Sequence, residues 1–110
     1  MCQLKFWLDA VNGYVAQCVH CGLYQVAYGT SLLTFTELQL QQFTTEIMQL
    51  ATIGCPGGQE HVKAIILPTP EFGYQVILCH KELLELDKLL QNAQVEITTG
   101  ALLALISNPG

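Results

Sequence analysis

Leu23-Tyr24-Gln25-Val26-Ala27-Tyr28-Gly29-Thr30-Ser31-Leu32-Leu33-Thr34-Phe35-Thr36-Glu37-Leu38-Gln39-Leu40 is the stretch that decides how this chain folds. Its first six residues are rich in aromatic and β-branched types, which suit a strand. Gly29-Thr30 is a good two-residue turn, and Ser31 to Phe35 reads as the returning strand. Thr36 is then a good N-cap. Gln39, three residues on, completes a capping box, with Phe35 and Leu40 at the staple positions on either side. Leu40, Phe43, Ile47 and Leu50 recur at helical spacing. Gln41, Gln42, Thr44, Thr45 and Gln49 leave the opposite face polar but nearly uncharged. Gly54 can close this helix and Pro56 prevents its resumption.

Working outward, Tyr14 to Cys18 is another short β-rich run, joined to the first by the turn Cys18-Val19-His20-Cys21-Gly22. Residues 1–12 read as an N-terminal segment that Phe6 and Trp7 pack onto the core. Downstream, Cys55 to Glu60 is a loop by composition. Val62 to Leu67 and Tyr74 to Leu78 read as a second hairpin around Pro68-Thr69-Pro70 and Gly73. A second helix covers His80 to Asn92, with Leu83, Leu86, Leu90 and Ala93 on its inner face. Lys81 and Glu85, four residues apart, can pair on its outer face. The tail 94–110 reads as a strand, Val95 to Ile97, and a short helix opened by Thr98 or Thr99.

Laid over each other, the halves agree. Phe35 matches Leu78, Thr36 matches Cys79, Gln39 matches Glu82, and Leu40, Phe43 and Ile47 match Leu83, Leu86 and Leu90. The expected architecture is an α+β fold in one domain over 1–110. Units 13–54 and 61–93 each form a β-hairpin followed by a helix. Together they make an antiparallel sheet of four or five strands with both helices on one face.

Composition bounds the function. At 110 residues the chain can bury one core. Only 12% of residues are charged, against roughly 25% in ordinary soluble domains. There is no arginine, the cations are Lys5, Lys63, Lys81 and Lys88, and the net charge is −5. No basic cluster exists to neutralise phosphates, which excludes nucleic acid and anionic membrane surfaces as partners. No uninterrupted apolar run reaches bilayer length. Met1 to Val11 lacks the pattern of a secretory signal. A cytoplasmic protein with reduced cysteines is the expectation. So few surface charges leave apolar area exposed, which points to a homo-oligomer or a protein partner.

The chemistry-bearing residues centre on Cys18 and Cys21. Two cysteines separated by two residues and closed by glycine suit half of a structural zinc site. Such a site needs four ligands, and no second pair exists at matching spacing. Cys79 and His80 are candidates to complete it, as are Cys2, Cys55 and His61, or the same pair from a second copy of the chain. The plainer alternative is a tight turn with buried thiols. A thiol-dependent redox or sensor role for Cys18 and Cys21 is the competing chemistry, although the residues after Cys21 favour a strand over the helix such sites use. No catalytic triad, phosphate-cradling loop or HExxH is present.

The CxxCG knuckle, the strand Tyr24-Gln25-Val26-Ala27-Tyr28-Gly29, the helix, and then Ile66-Leu67-Pro68-Thr69-Pro70 before a second hairpin and helix carry a resemblance over residues 14 to 93. The chain is similar to small uncharacterised bacterial domains of unknown function. That resemblance implies no activity, so the sequence points to a small binding or scaffold domain.

Overall fold

The computed structural model describes residues 3–53, 65–68 and 75–107. Its elements are β1 (Leu4–Ala10), β2 (Gly13–Cys18), β3 (Tyr24–Tyr28), β4 (Ser31–Phe35), α1 (Glu37–Ile53), β5 (Ile65–Pro68), β6 (Gln75–Leu78) and α2 (His80–Ser107). The class is α+β, with a four-stranded antiparallel sheet in the order β1-β2-β3-β4.

The decisive hairpin forms as its residues dictate. Tyr28 pairs with Ser31, leaving Gly29-Thr30 as a two-residue loop. Gly29 has φ +58° while Thr30 stays at negative φ. Positive φ at the first central position alone is the signature of a type II′ turn, whose twist matches that of the strands. The capping box follows. The Thr36 N–H donates to Gln39 Oε1 at 2.9 Å, and the Gln39 N–H donates to Thr36 Oγ1 at 3.2 Å. Phe35 and Leu40 are both buried, and the Phe35 ring stacks on Phe43 at 4.8 Å.

The second helix starts the same way. The Cys79 N–H donates to Glu82 Oε1 at 3.0 Å, and the Leu83 N–H closes the first turn on the Cys79 carbonyl. Cysteine offers no hydroxyl, so only half of the reciprocal box forms. The match of Thr36 and Gln39 with Cys79 and Glu82 is therefore realised in the cap geometry.

Register places the core. Leu8, Val15, Val26 and Leu33 pair across all four strands, and Tyr24 pairs with Phe35 on the same face. That face joins Phe43 and Ile47 of α1 and Leu83, Leu86 and Leu90 of α2 in one buried cluster. Both helices therefore pack on one side of the sheet.

Three expectations are corrected. The segment 1–12 contributes β1, an edge strand. Its alternation was hidden by a bulge between Phe6 and Leu8, which places one extra residue, Trp7, against β2. The second hairpin does not join the main sheet. β5 and β6 form a separate two-stranded sheet, with β6 lying against α2. The sheet reaches four strands through β1 instead. The tail is neither strand nor separate helix, because α2 runs unbroken through Val95, Thr98 and Gly100 to Ser107. Nothing in that stretch is a proline, and tertiary contact overrides the β preference of its branched residues. Gly54, Pro56 and the loop Cys55 to Glu60 lie outside the described residues.

That tertiary contact is Trp7 on Gly100. A Cβ built on Gly100 would stand 2.7 Å from Cζ3 and 2.8 Å from Cη2 of the indole. The ring cannot simply move away. Its Nε1–H donates to Gln17 Oε1 at 3.1 Å, and the Lys5 ammonium sits over it at 4.1 Å. Replacing Gly100 by alanine improves helix propensity by about 1 kcal/mol, but overpacking against a held ring costs about 1–3 kcal/mol. Gly100→Ala is expected to lower the urea midpoint, and to cost less when Trp7→Ala is already present. An increase in stability for Gly100→Ala alone would show that the indole is not fixed.

Candidate functional site

Cys18 to Gly22 form a tight turn between β2 and β3. The Gly22 N–H donates to the Cys18 carbonyl at 2.8 Å, and Gly22 takes φ +78°. The Cys21 N–H points at Cys18 Sγ, 3.4 Å away. The Cys18 N–H closes the turn on the Leu23 carbonyl, and the Val19 N–H ties it to the Gln3 carbonyl. Cys18 is buried and Cys21 exposed, while His20 faces solvent.

The suggested additional ligands stand elsewhere. Cys79 is buried at the start of α2 and His80 is half-buried beside it. From there α2 carries Glu85 to a hydrogen bond with Tyr28. Tyr28 pairs with Gly13, at the opposite end of β2 from Cys18. Five residues of strand separate those ends by about 17 Å. Among the described residues no group of three or more His, Cys, Asp or Glu side chains could hold a metal ion. Cys2, Cys55 and His61 lie outside the described residues.

What the fold assembles at the Gly13 end is a cleft of about 320 Å³ between the end of β1, the turn after it, and α2. Glu85 is its centre. Tyr28 Oη donates to Glu85 Oε2 at 2.7 Å, and Asn12 Nδ2 donates to the same oxygen at 3.2 Å. These three residues come from β3, a turn and a helix, and lie 57 and 73 positions apart in pairs with Glu85. Nothing local announces them. The expected Lys81–Glu85 pair does not form, because the Tyr28 and Asn12 donors hold Glu85 on the sheet side. Helical spacing alone could not show which neighbour Glu85 would choose.

A second feature is the far end of α2. Ala101 to Ile106 are all exposed, Leu102 and Leu103 to 56% and 57% and Leu105 and Ile106 to 74%. The helix is long and apolar enough to cross a membrane by length and composition, with a window of mean hydropathy 1.2 of which 17% is buried. The run-based expectation missed this, because Gln91, Asn92, Gln94 and Glu96 interrupt the apolar residues without lowering the average enough. The first half of α2 nevertheless belongs to the core through Leu83, Leu86, Leu89 and Leu90.

Desolvation, and then the hydrogen bond it donates to the Glu85 carboxylate, raise the Tyr28 pKa well above 10.0. Above pH 10 the unfolded chain therefore loses this proton while the folded chain keeps it. The native state then binds more protons, so stability falls as pH rises. Stability is expected to be insensitive to this group below pH 10 and to decline above it. Tyr28→Phe should show a shallower alkaline decline and, at neutral pH, a loss of about 1 kcal/mol. Parallel urea titrations across pH 8 to 11 would read both effects. Identical alkaline slopes would remove Tyr28 from the account.

Residues 1–106 match the model of a family of unknown function, DUF6686. No curated protein and no solved structure matches the chain. With all but its last four residues inside the family model, the chain belongs to this family of unknown function.

Proposed function

We propose that this protein is a small scaffold module that works by pairing with a second copy of itself through the C-terminal end of α2. The observation that carries this reading is the run Ala101 to Ile106, apolar all round the helix and exposed on every side. A helix with no polar face is stable when something covers it. Trp7 fixes the helix at Gly100, so the run is held out at a defined angle instead of fraying freely.

The choice of a second copy rests on area and charge. At roughly 180 Å² for a fully exposed leucine or isoleucine, Leu102, Leu103, Leu105 and Ile106 leave about 470 Å² open. That is over half of the ~800 Å² one partner contributes to an ordinary interface. Ala101, Ala104 and Val95, also exposed, extend it. No charged residue occurs after Glu96, so the surface carries nothing to repel an identical one. A spanning role fits less well. The uncharged portion from Ile97 to Ile106 is ten residues, about 15 Å of helix, half of a hydrocarbon core. It also lacks the lysines and arginines that hold interfacial helices on anionic lipid.

The knuckle favours a second reading within the first. An N–H aimed at Cys18 Sγ and a left-handed Gly22 are what half of a structural zinc site uses. A dimer would supply two such halves. The redox alternative has less behind it, because Cys18 is buried at a strand end and the residues after Cys21 lead into strand β3, where redox sites of this spacing use a helix.

Native mass spectrometry and light scattering on the full chain test these readings together. The expected mass is twice the 12.1 kDa chain. Leu102→Glu/Leu105→Glu or Leu103→Glu/Ile106→Glu should return it to a monomer with unchanged circular dichroism. One zinc per two chains would establish the shared site. A wild-type monomer, a dimer indifferent to both double variants, or co-sedimentation of the wild type with neutral lipid vesicles would overturn pairing through this surface.

A further inference from the structure

The cleft centred on Glu85 contains two opposite charges that do not meet. Glu85 Oε2 is occupied by Tyr28 and Asn12, while Oε1 accepts a hydrogen bond from no described residue. Lys88, three residues on, lines the same cleft and is exposed, and forms no ion pair with a described residue. A Glu–Lys pair at this spacing on a helix can close on itself, though only weakly. Here the Tyr28 and Asn12 donors hold Glu85 on the sheet side and keep the pair open. The same cleft has apolar lining from Leu8 in β1, from Val11 just after it and from Leu89 on α2, with Asn12 and Asn92 among its polar groups.

We propose that this cleft binds a small zwitterion, an α-amino acid with an apolar side chain. Its ammonium would donate to Glu85 Oε1, its carboxylate would meet the Lys88 ammonium, and its side chain would cover Leu8, Val11 and Leu89. Each alternative leaves a charge badly placed. A simple anion would pair with Lys88 but face the Glu85 carboxylate, and a simple cation would pair with Glu85 but face Lys88. The volume, about 320 Å³, is at the lower end of small-molecule sites and suits a ligand of metabolite size. Both side chains are anchored three residues apart on one helix, so both reach the same cleft before any ligand arrives. Glu85 is further fixed by its two donors, which reduces the ordering cost of binding. The proposal is independent of self-association, since Glu85 and Lys88 lie in the first turns of α2 and the exposed run lies at its other end.

Isothermal titration of the full chain with L-leucine is the test, with L-leucinamide and 4-methylpentanoate as probes that lack one charge each. Saturable binding of L-leucine is expected, weakened at least about tenfold for each probe, because each leaves one cleft charge unpaired. Lys88→Met should weaken L-leucine similarly but leave L-leucinamide unchanged, and this exposed substitution leaves the core alone. Glu85→Gln should weaken L-leucine while still accepting the Tyr28 and Asn12 hydrogen bonds, with near-ultraviolet circular dichroism confirming the fold. Absence of heat with every apolar amino acid at millimolar concentration would overturn the proposal. So would equal affinity for L-leucine and 4-methylpentanoate, or binding indifferent to Lys88→Met.

Discussion

The contact between Trp7 and Gly100 is the constraint on which the rest of this structure depends. It joins the edge strand of the sheet to a point three-quarters of the way along α2, the longest helix among the described residues. A bulge in β1 places Trp7 opposite β2, where Gln17 and Lys5 hold it. Only a residue without Cβ lets the helix approach the indole this closely. The contact explains why α2 passes through a glycine and the four β-branched residues Val95, Ile97, Thr98 and Thr99 without breaking. It also decides that the apolar residues after Gly100 project from the body of the protein.

The two ends of α2 consequently have different characters. Its first turns are half of a polar cleft, where Glu85 answers donors from β3 and from the β1–β2 turn. Its middle supplies Leu83, Leu86, Leu89 and Leu90 to the core. Its last turns carry no charge and touch little of their own chain. With so few ionic groups overall, each charged side chain has few competitors. Tyr28 and Asn12 hold Glu85 although Lys81 and Lys88 stand within a helical turn of it.

The knuckle, the most conspicuous motif in the sequence, has a modest structural role. Its hydrogen bonds turn the chain from β2 into β3 and tie the start of β1 to that turn. The sheet is fully paired on either side of it, and the core forms from Val15, Val26, Phe35 and the helices without its help. Metal would therefore add to a fold that packing already accounts for.

Local chemistry was enough to determine the β3–β4 turn, the capping box at Thr36 and Gln39, the related cap at Cys79 and Glu82, and the inner faces of both helices. Each depends on residues within four or five positions of one another, which is the range over which turn, cap and periodicity rules act. Three things were decided only in three dimensions. β1 became a strand because Trp7 had a helix to pack on, and the bulge that allows this disguised its alternation. The tail became helix because Gly100 found that ring, so the preference of Val95, Ile97 and Thr98 for a strand was overruled. The cleft arose because Asn12, Tyr28 and Glu85 converge from elements dozens of residues apart. Such convergence leaves no periodic trace, since the energy that selects it is a hydrogen bond between groups with no fixed spacing in the chain.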